Sequence, residues 1–237
     1  DGKQGSGPLV EFGGVEILGE AVEIGAGQGL VGGVRFAGGY AEMVERCLHH
    51  CGKPIGHPLV REHGKLTLEP RRFLEALGVQ VTLVSPKKAG EDIQGFDHLT
   101  PSQKFKVELN VQEAQPGDYD LLLLPGGVAN PDNLRLSPES IDFIKAFGDE
   151  DKPIAAICHG PWPLIDAGVA ESKHLTSWPT LQHDLRNAGA EWTDEEVVVD
   201  GKLITSRKPD DIPAFNEAIQ KQLMVLQQAG SDPGPTS

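Results

Sequence analysis

Two short runs constrain this chain more than any other feature: "YDLLLLPGG" (residues 119–127) and "KPIAAICHG" (152–160), each continuously apolar and each closed by glycine. A strand with one face in water alternates apolar and polar residues, so a strand that is apolar at every position has to be covered on both faces. Between them lies "SPESIDFIKAFGDEDKP" (137–153), an amphipathic helix pattern with Ser137 as its N-cap and Glu139 and Asp142 favourably placed against the helix dipole. The alternation continues on either side. "EPRRFLEALG" (69–78) puts Phe73, Leu74 and Leu77 at helical spacing with Gly78 as a stop, and "VQVTLVSP" (79–86) is a β-branched strand closed by proline. "PWPLIDAGV" (161–169) begins a helix, and "EEVVVDGKLITSR" (195–207) reads as a hairpin turning at Asp200-Gly201. "DDIPAFNEAIQKQLMVLQQ" (210–228) is a closing helix, with Asp210 and Asp211 as its capping acids. Apolar strands separated by helices predict a doubly wound α/β core.

The 237 residues suffice for a large core, and the formal charge of −14 argues against a nucleic-acid backbone as partner. No apolar run reaches the roughly 18 residues of a membrane span, and no signal peptide is visible. Three cysteines, an odd and sparse number, suggest a reducing compartment, and the cytoplasm is expected. Residues 1–57 differ from the rest: they are glycine-rich ("GAGQG", "VGG", "AGG") and read as an N-terminal extension of uncertain structure, mostly mobile and dispensable. Residues 58–226 form the α/β domain, and 227–237 a disordered tail. "ERCLHHCGKPIGH" gathers Cys47, His49, His50, Cys51 and His57, but the spacing matches no standard zinc site and no metal is expected.

Chemistry concentrates at residue 158. An open α/β sheet carries its functional groups at the carboxyl ends of its strands, and Cys158 sits at such an end, on a sharp turn into a helix. A helix N-terminus behind the thiol predicts a pKa below the free value of about 8.5. His159 can pair with the thiolate or supply a backbone N–H to an oxyanion, and Gly126-Gly127 let a second N–H approach the same point. A cysteine that merely packs is the alternative, and the adjacent histidine, Gly160 and the "LPGG" turn weigh against it.

These segments, together with "LLLLPGGVANPDNLR", "PIAAICHGPWPLIDAGV", "LTSWPTLQHDLRNAGAEW" and "VVVDGKLITSRKPDDIPAF", resemble the ThiJ/PfpI family, specifically the PfpI-like intracellular cysteine proteases and their deglycase relatives, over residues 66–225. The resemblance implies a flavodoxin-like three-layer sandwich with a mostly parallel central sheet. It implies Cys158 as nucleophile, His159 as its catalytic neighbour, and Asp132 as an acid that reaches the histidine of a second subunit, hence a homodimer or homohexamer. Trp178, His183 and Arg207 align with pocket positions. In the family a central first strand leads into a turn whose glutamate bonds the thiol. Glu62 is the nearest carboxylate here, although an ungapped count back from Glu69-Pro70 puts His63 in that slot. "GKPIGHPLV" is a poor strand, so either "GVEIL" (14–18) or another upstream run supplies the central position, or unrelated sequence replaces it.

The function expected is that of a cofactor-independent cysteine enzyme acting on a small carbonyl or a peptide: glyoxalase or deglycase chemistry on methylglyoxal and its adducts, giving lactate, or peptide hydrolysis. The alternative is a non-catalytic stress protein or redox sensor in which Cys158 is oxidised. A glutaminase would share the fold but needs a late His-x-Glu pair, and no histidine follows His183.

Overall fold

A computed structural model describes residues 31–36, 65–97 and 100–230 of the chain. A seven-stranded sheet forms its centre, in the order β10-β11-β7-β6-β1-β2-β5. The strands are β1 (Val31–Phe36), β2 (Val79–Ser85), β5 (Leu109–Asn110), β6 (Leu121–Leu124), β7 (Ile154–Ile157), β10 (Val197–Asp200) and β11 (Leu203–Ser206). The pairings make β5, β2, β6, β7 and β11 run one way and β1 and β10 the other. The sheet is therefore mostly parallel. β3 (Asp92–Asp97) and β4 (Thr100–Lys106) form a separate hairpin, and β8 (His174–Leu175) pairs with β9 (Glu191–Trp192).

The apolar runs are sorted by the pleat. Leu122, Leu124, Ile154 and Ala156 face one layer, with Leu134 of α2 (Ala129–Arg135), Phe143, Ile144 and Phe147 of α3 (Pro138–Asp149) and Leu164 of α4 (Pro163–Asp166). Leu121, Leu123, Ala155 and Ile157 face the other, with Leu74 and Leu77 of α1 (Lys65–Ala76) and Phe215, Ile219 and Leu223 of α6 (Ile212–Gly230). Each such side chain contributes about 1.5–3 kcal/mol by leaving water, which is why both runs could afford no polar position. The result is the three-layer sandwich of the flavodoxin-like fold. The short α5 (Gln182–Asn187) carries Leu185 into the first layer. Ser137 caps α3 as its position suggested, its hydroxyl accepting from the Ser140 N–H at 3.2 Å. The β10–β11 hairpin turns after Asp200, with Gly201 at φ 60°.

The alternative in which an upstream run supplies the central strand is met, and three expectations change. Within the segment expected to be mostly mobile, Val31–Phe36 is a strand that fills the central position between β2 and β6, antiparallel to both neighbours. Gly32 pairs with Leu123 and Val34 with Leu121, so the first residues of β1, not its last, lie beside the turn that follows β6. A strand in this direction cannot run into a thiol-binding acid turn at its carboxyl end. The "GVEIL" run lies outside the described residues. The closing helix α6 continues to Gly230, so 227–230 are helical rather than part of a tail. Asp211 does not cap it: the carboxylate is buried and bound by Arg207. No helix among the described residues is long and apolar enough to cross a membrane.

Candidate active site

Cys158 directly follows β7, at φ 63°. A non-glycine residue in the left-handed region costs on the order of 1–3 kcal/mol and persists only when its surroundings over-determine it. Both of its backbone groups are held. Its N–H donates to the Ser206 carbonyl at 2.9 Å, and its own carbonyl accepts from the Trp178 N–H at 2.8 Å. Gly160 completes the turn: a Cβ there would stand 2.3 Å from the Leu124 carbonyl oxygen and 2.9 Å from that of Ile157. Only glycine lets the turn close this tightly against the end of β6.

That closeness brings the two glycine-marked strand ends together. The backbone N–H groups of Gly127 and His159 both donate to the Cys158 sulfur. Gly127 itself has φ 86°, so the turn needs a residue without a Cβ. Gly126 precedes it in the same turn. The Cys158 Sγ lies 3.3 Å from His159 Nδ1. The imidazole stacks on the Trp178 indole, centroids 5.8 Å apart and planes 25° apart, with Trp162 tilted against it at 6.5 Å.

Burial governs the ionisation of the pair. It pushes the Cys158 thiol up, against the smaller opposing effect of the Gly127 and His159 N–H groups. It pushes His159 down from its ordinary value of 6.5. The expectation of a depressed thiol pKa is thus corrected. The helix meant to stabilise a thiolate is only the four-residue α4, starting at Pro163, while the sulfur is packed in the second core layer. At neutral pH the resting pair is a thiol beside a neutral imidazole. With the imidazole proton on Nε2, the S–H donates to Nδ1.

The other candidates fall in different places. Trp178 is at the site. Asp132 is exposed in the first turn of α2, its carboxylate without a hydrogen bond or ion pair among the described residues. His183 is exposed on α5 and shows no contact with Cys158 or His159 among those residues. Arg207 follows Ser206, but its guanidinium is spoken for: Nε and an Nη bind Asp211 at 2.9 and 3.2 Å, and the other Nη binds Asp194 at 2.8 Å. Those carboxylates hold it still more firmly charged. Glu62 and His63 lie outside the described residues, as do Cys47, His49, His50, Cys51 and His57. Sequence reading missed Trp162 as a wall of the histidine and Arg135 as its support. Trp162 could have been found from its place four residues after Cys158. An arginine in the last turn of a helix reads only as dipole compensation.

Comparison with known proteins identifies the family. The DJ-1/PfpI family profile matches residues 67–222. The chain is 38% identical over 149 residues to General stress protein 18 of Bacillus subtilis, covering 62% of this chain and 84% of that protein. It is 39% identical over 147 residues to "Putative cysteine protease YraA" of the same organism, covering 62% and 83%. Among solved structures, a two-domain protein from Anabaena variabilis with DJ-1/ThiJ/PfpI-like and ferritin-like domains superposes with TM-score 0.64 at 31% identity. That match covers 68% of this chain and 45% of the Anabaena chain, so this chain spans less than half of that protein. Drosophila melanogaster DJ-1beta superposes with TM-score 0.51 at 30% identity, covering 57% of this chain and 70% of that one.

Proposed function

Because the chain belongs to the DJ-1/PfpI family, we propose that it is a cofactor-independent cysteine enzyme whose substrate is a small reactive carbonyl such as methylglyoxal or its adducts. One observation carries the reading: a strained, left-handed Cys158 whose sulfur receives two backbone N–H groups and faces the imidazole of His159. That is the arrangement a nucleophile needs when it must be neutral at rest and charged only as it reacts.

The proposed step uses these groups as follows. As Sγ bonds to the aldehyde carbon, the S–H proton passes to Nδ1 of His159 and the carbonyl π pair moves onto oxygen. The N–H groups of Gly127 and His159, which bind sulfur at rest, are then beside the developing alkoxide and can stabilise it. The imidazolium then returns its proton to the alkoxide, giving a hemithioacetal. His159, neutral again, next shuttles a proton from the aldehyde carbon to the former ketone carbon, and water cleaves the resulting thioester to lactate and restores the thiol. Atoms balance with one water added. The aldehyde carbon is oxidised and the ketone carbon reduced, so no external oxidant is required. Asp132 of a second subunit would orient His159 in a homodimer or homohexamer, and Glu62, or His63 in the ungapped count, would be the neighbour of the thiol.

Peptide hydrolysis is the reaction that the YraA name suggests for that relative, and it uses the same nucleophile. A sulfur on a residue only 6% exposed, whose imidazole neighbour is flanked by two indoles, favours a compact substrate over a polypeptide. A role as redox sensor in stress asks for a thiolate at neutral pH, which the burial of Cys158 opposes. The deciding measurement is lactate formation from methylglyoxal by purified protein, alongside cleavage of a fluorogenic peptide. Lactate lost in Cys158→Ser supports the proposal. Peptide cleavage without lactate overturns the substrate class, and activity unchanged in Cys158→Ser overturns the nucleophile.

A further inference from the structure

The two halves of the site stand on different segments. Gly127 lies on the turn that leads into α2, while Cys158, His159 and Trp162 lie on the turn between β7 and α4. Their relative position decides whether the Gly127 N–H reaches the sulfur, and a displacement of about 1 Å is enough to lose a catalytic alignment.

One side chain spans the gap. Arg135, in the last turn of α2, donates from Nε and an Nη to the two carboxylate oxygens of Asp166 at 2.5 and 3.3 Å. Asp166 is the last residue of α4. The guanidinium carbon of Arg135 also lies 4.7 Å from the ring centroid of Trp162, whose ring rests against the His159 imidazole. The pair is only partly exposed, about 30% for each side chain. A planar guanidinium can serve a carboxylate fork and an aromatic face at once, and a lysine cannot.

We propose that Arg135 is a positioning residue that clamps α2 to the segment after the nucleophile, setting both the approach of the Gly127 N–H to the Cys158 sulfur and the seat of the His159 ring through Trp162. The same helix carries Asp132, three residues earlier, so the clamp fixes that carboxylate as well. This inference rests on the reading of Cys158 as a nucleophile, and its test needs no turnover.

The test is the pH dependence of Cys158 alkylation by iodoacetamide, followed by peptide mapping, in the wild-type chain and in R135A, R135K and D166N. Loss of the clamp withdraws an N–H from the thiolate, so the inflection in R135A should move up by about 0.5 to 1 in pH, with a three- to tenfold lower rate at neutral pH. R135K, which keeps the charge but not the fork, should fall between R135A and wild type. D166N should shift the same way, and R135A with D166N together should shift no further than R135A alone, because the two act through one contact. A purely structural salt bridge would lower the melting temperature and leave the inflection in place, and that result overturns the proposal. Additive shifts in the double variant overturn it too. If wild-type Cys158 itself does not react, the nucleophile reading falls and this proposal with it. A reactive Cys158 with identical profiles in all variants removes the Arg135 role alone.

Discussion

The Cys158 sulfur and Nδ1 of its own neighbour His159 stand 3.3 Å apart, a contact that successive residues make only because the chain reverses at φ 63° between strand and helix. Burial holds both groups neutral, raising the thiol and lowering the imidazole. The pair therefore writes a pH signature into stability. His159 in the fold resists protonation more than in the unfolded chain, so its contribution is present above about 6.5 and is lost as pH falls toward the folded value. Cys158 has the opposite sign: its contribution is present below the ordinary thiol range and lost as pH rises through the folded value. Thermal melts from pH 5 to 10 should show both arms. His159→Gln should flatten the acid arm and Cys158→Ser the alkaline one, and melts unchanged by either substitution would show that burial does not control the pair.

Gly160→Ala should be among the most damaging single substitutions in the chain. Its Cβ would sit 2.3 Å from the Leu124 carbonyl oxygen, and that atom belongs to a central strand that cannot give way. A loss of about 2 kcal/mol or more is expected in urea unfolding, together with slower alkylation of Cys158. A variant as stable as wild type would mean that the turn and β6 can separate freely.

Arg207→Ala should cost stability rather than substrate affinity. It leaves the carboxylate of Asp211, a residue 5% exposed, without its bidentate partner. About 2–3 kcal/mol is expected, with Arg207→Lys restoring part of it. An unchanged melting curve with a raised KM would instead return Arg207 to the pocket.

Removal of residues 1–57 should prevent folding. The deletion takes away β1 and leaves β2 and β6 with unpaired inner edges. Far-ultraviolet circular dichroism and limited proteolysis of the truncated chain check this; a cooperative melt in that chain would show that β2 and β6 can close on each other directly.

Asp132→Asn should lower turnover about tenfold or more without moving the melting temperature, because its carboxylate is exposed and holds nothing within its own chain among the described residues. Sedimentation should show a dimer or a larger species. A fully active monomer would remove Asp132 from the catalytic group.

The sequence by itself determined the layering and the place of the thiol turn. Runs such as Leu121–Leu124 and Ile154–Ile157 can only be strands covered on both faces, since every second side chain needs a different apolar layer. A thiol and a glycine at the end of such a run can only mark a tight turn. These are local properties, written in the spacing of apolar residues and in the absence of a Cβ. Tertiary structure decided the rest, because it depends on which distant segments meet. The central strand came from the weakly patterned Val31–Phe36, whose place and reversed direction are set by the edges of β2 and β6 rather than by its own residues. The thiol went up rather than down because burial outweighed the Gly127 and His159 N–H groups that favour its charged form. Arg207 went to Asp211 and Asp194, and Arg135 to Asp166 and Trp162, since a guanidinium takes whichever carboxylates and rings the packed layers bring within reach.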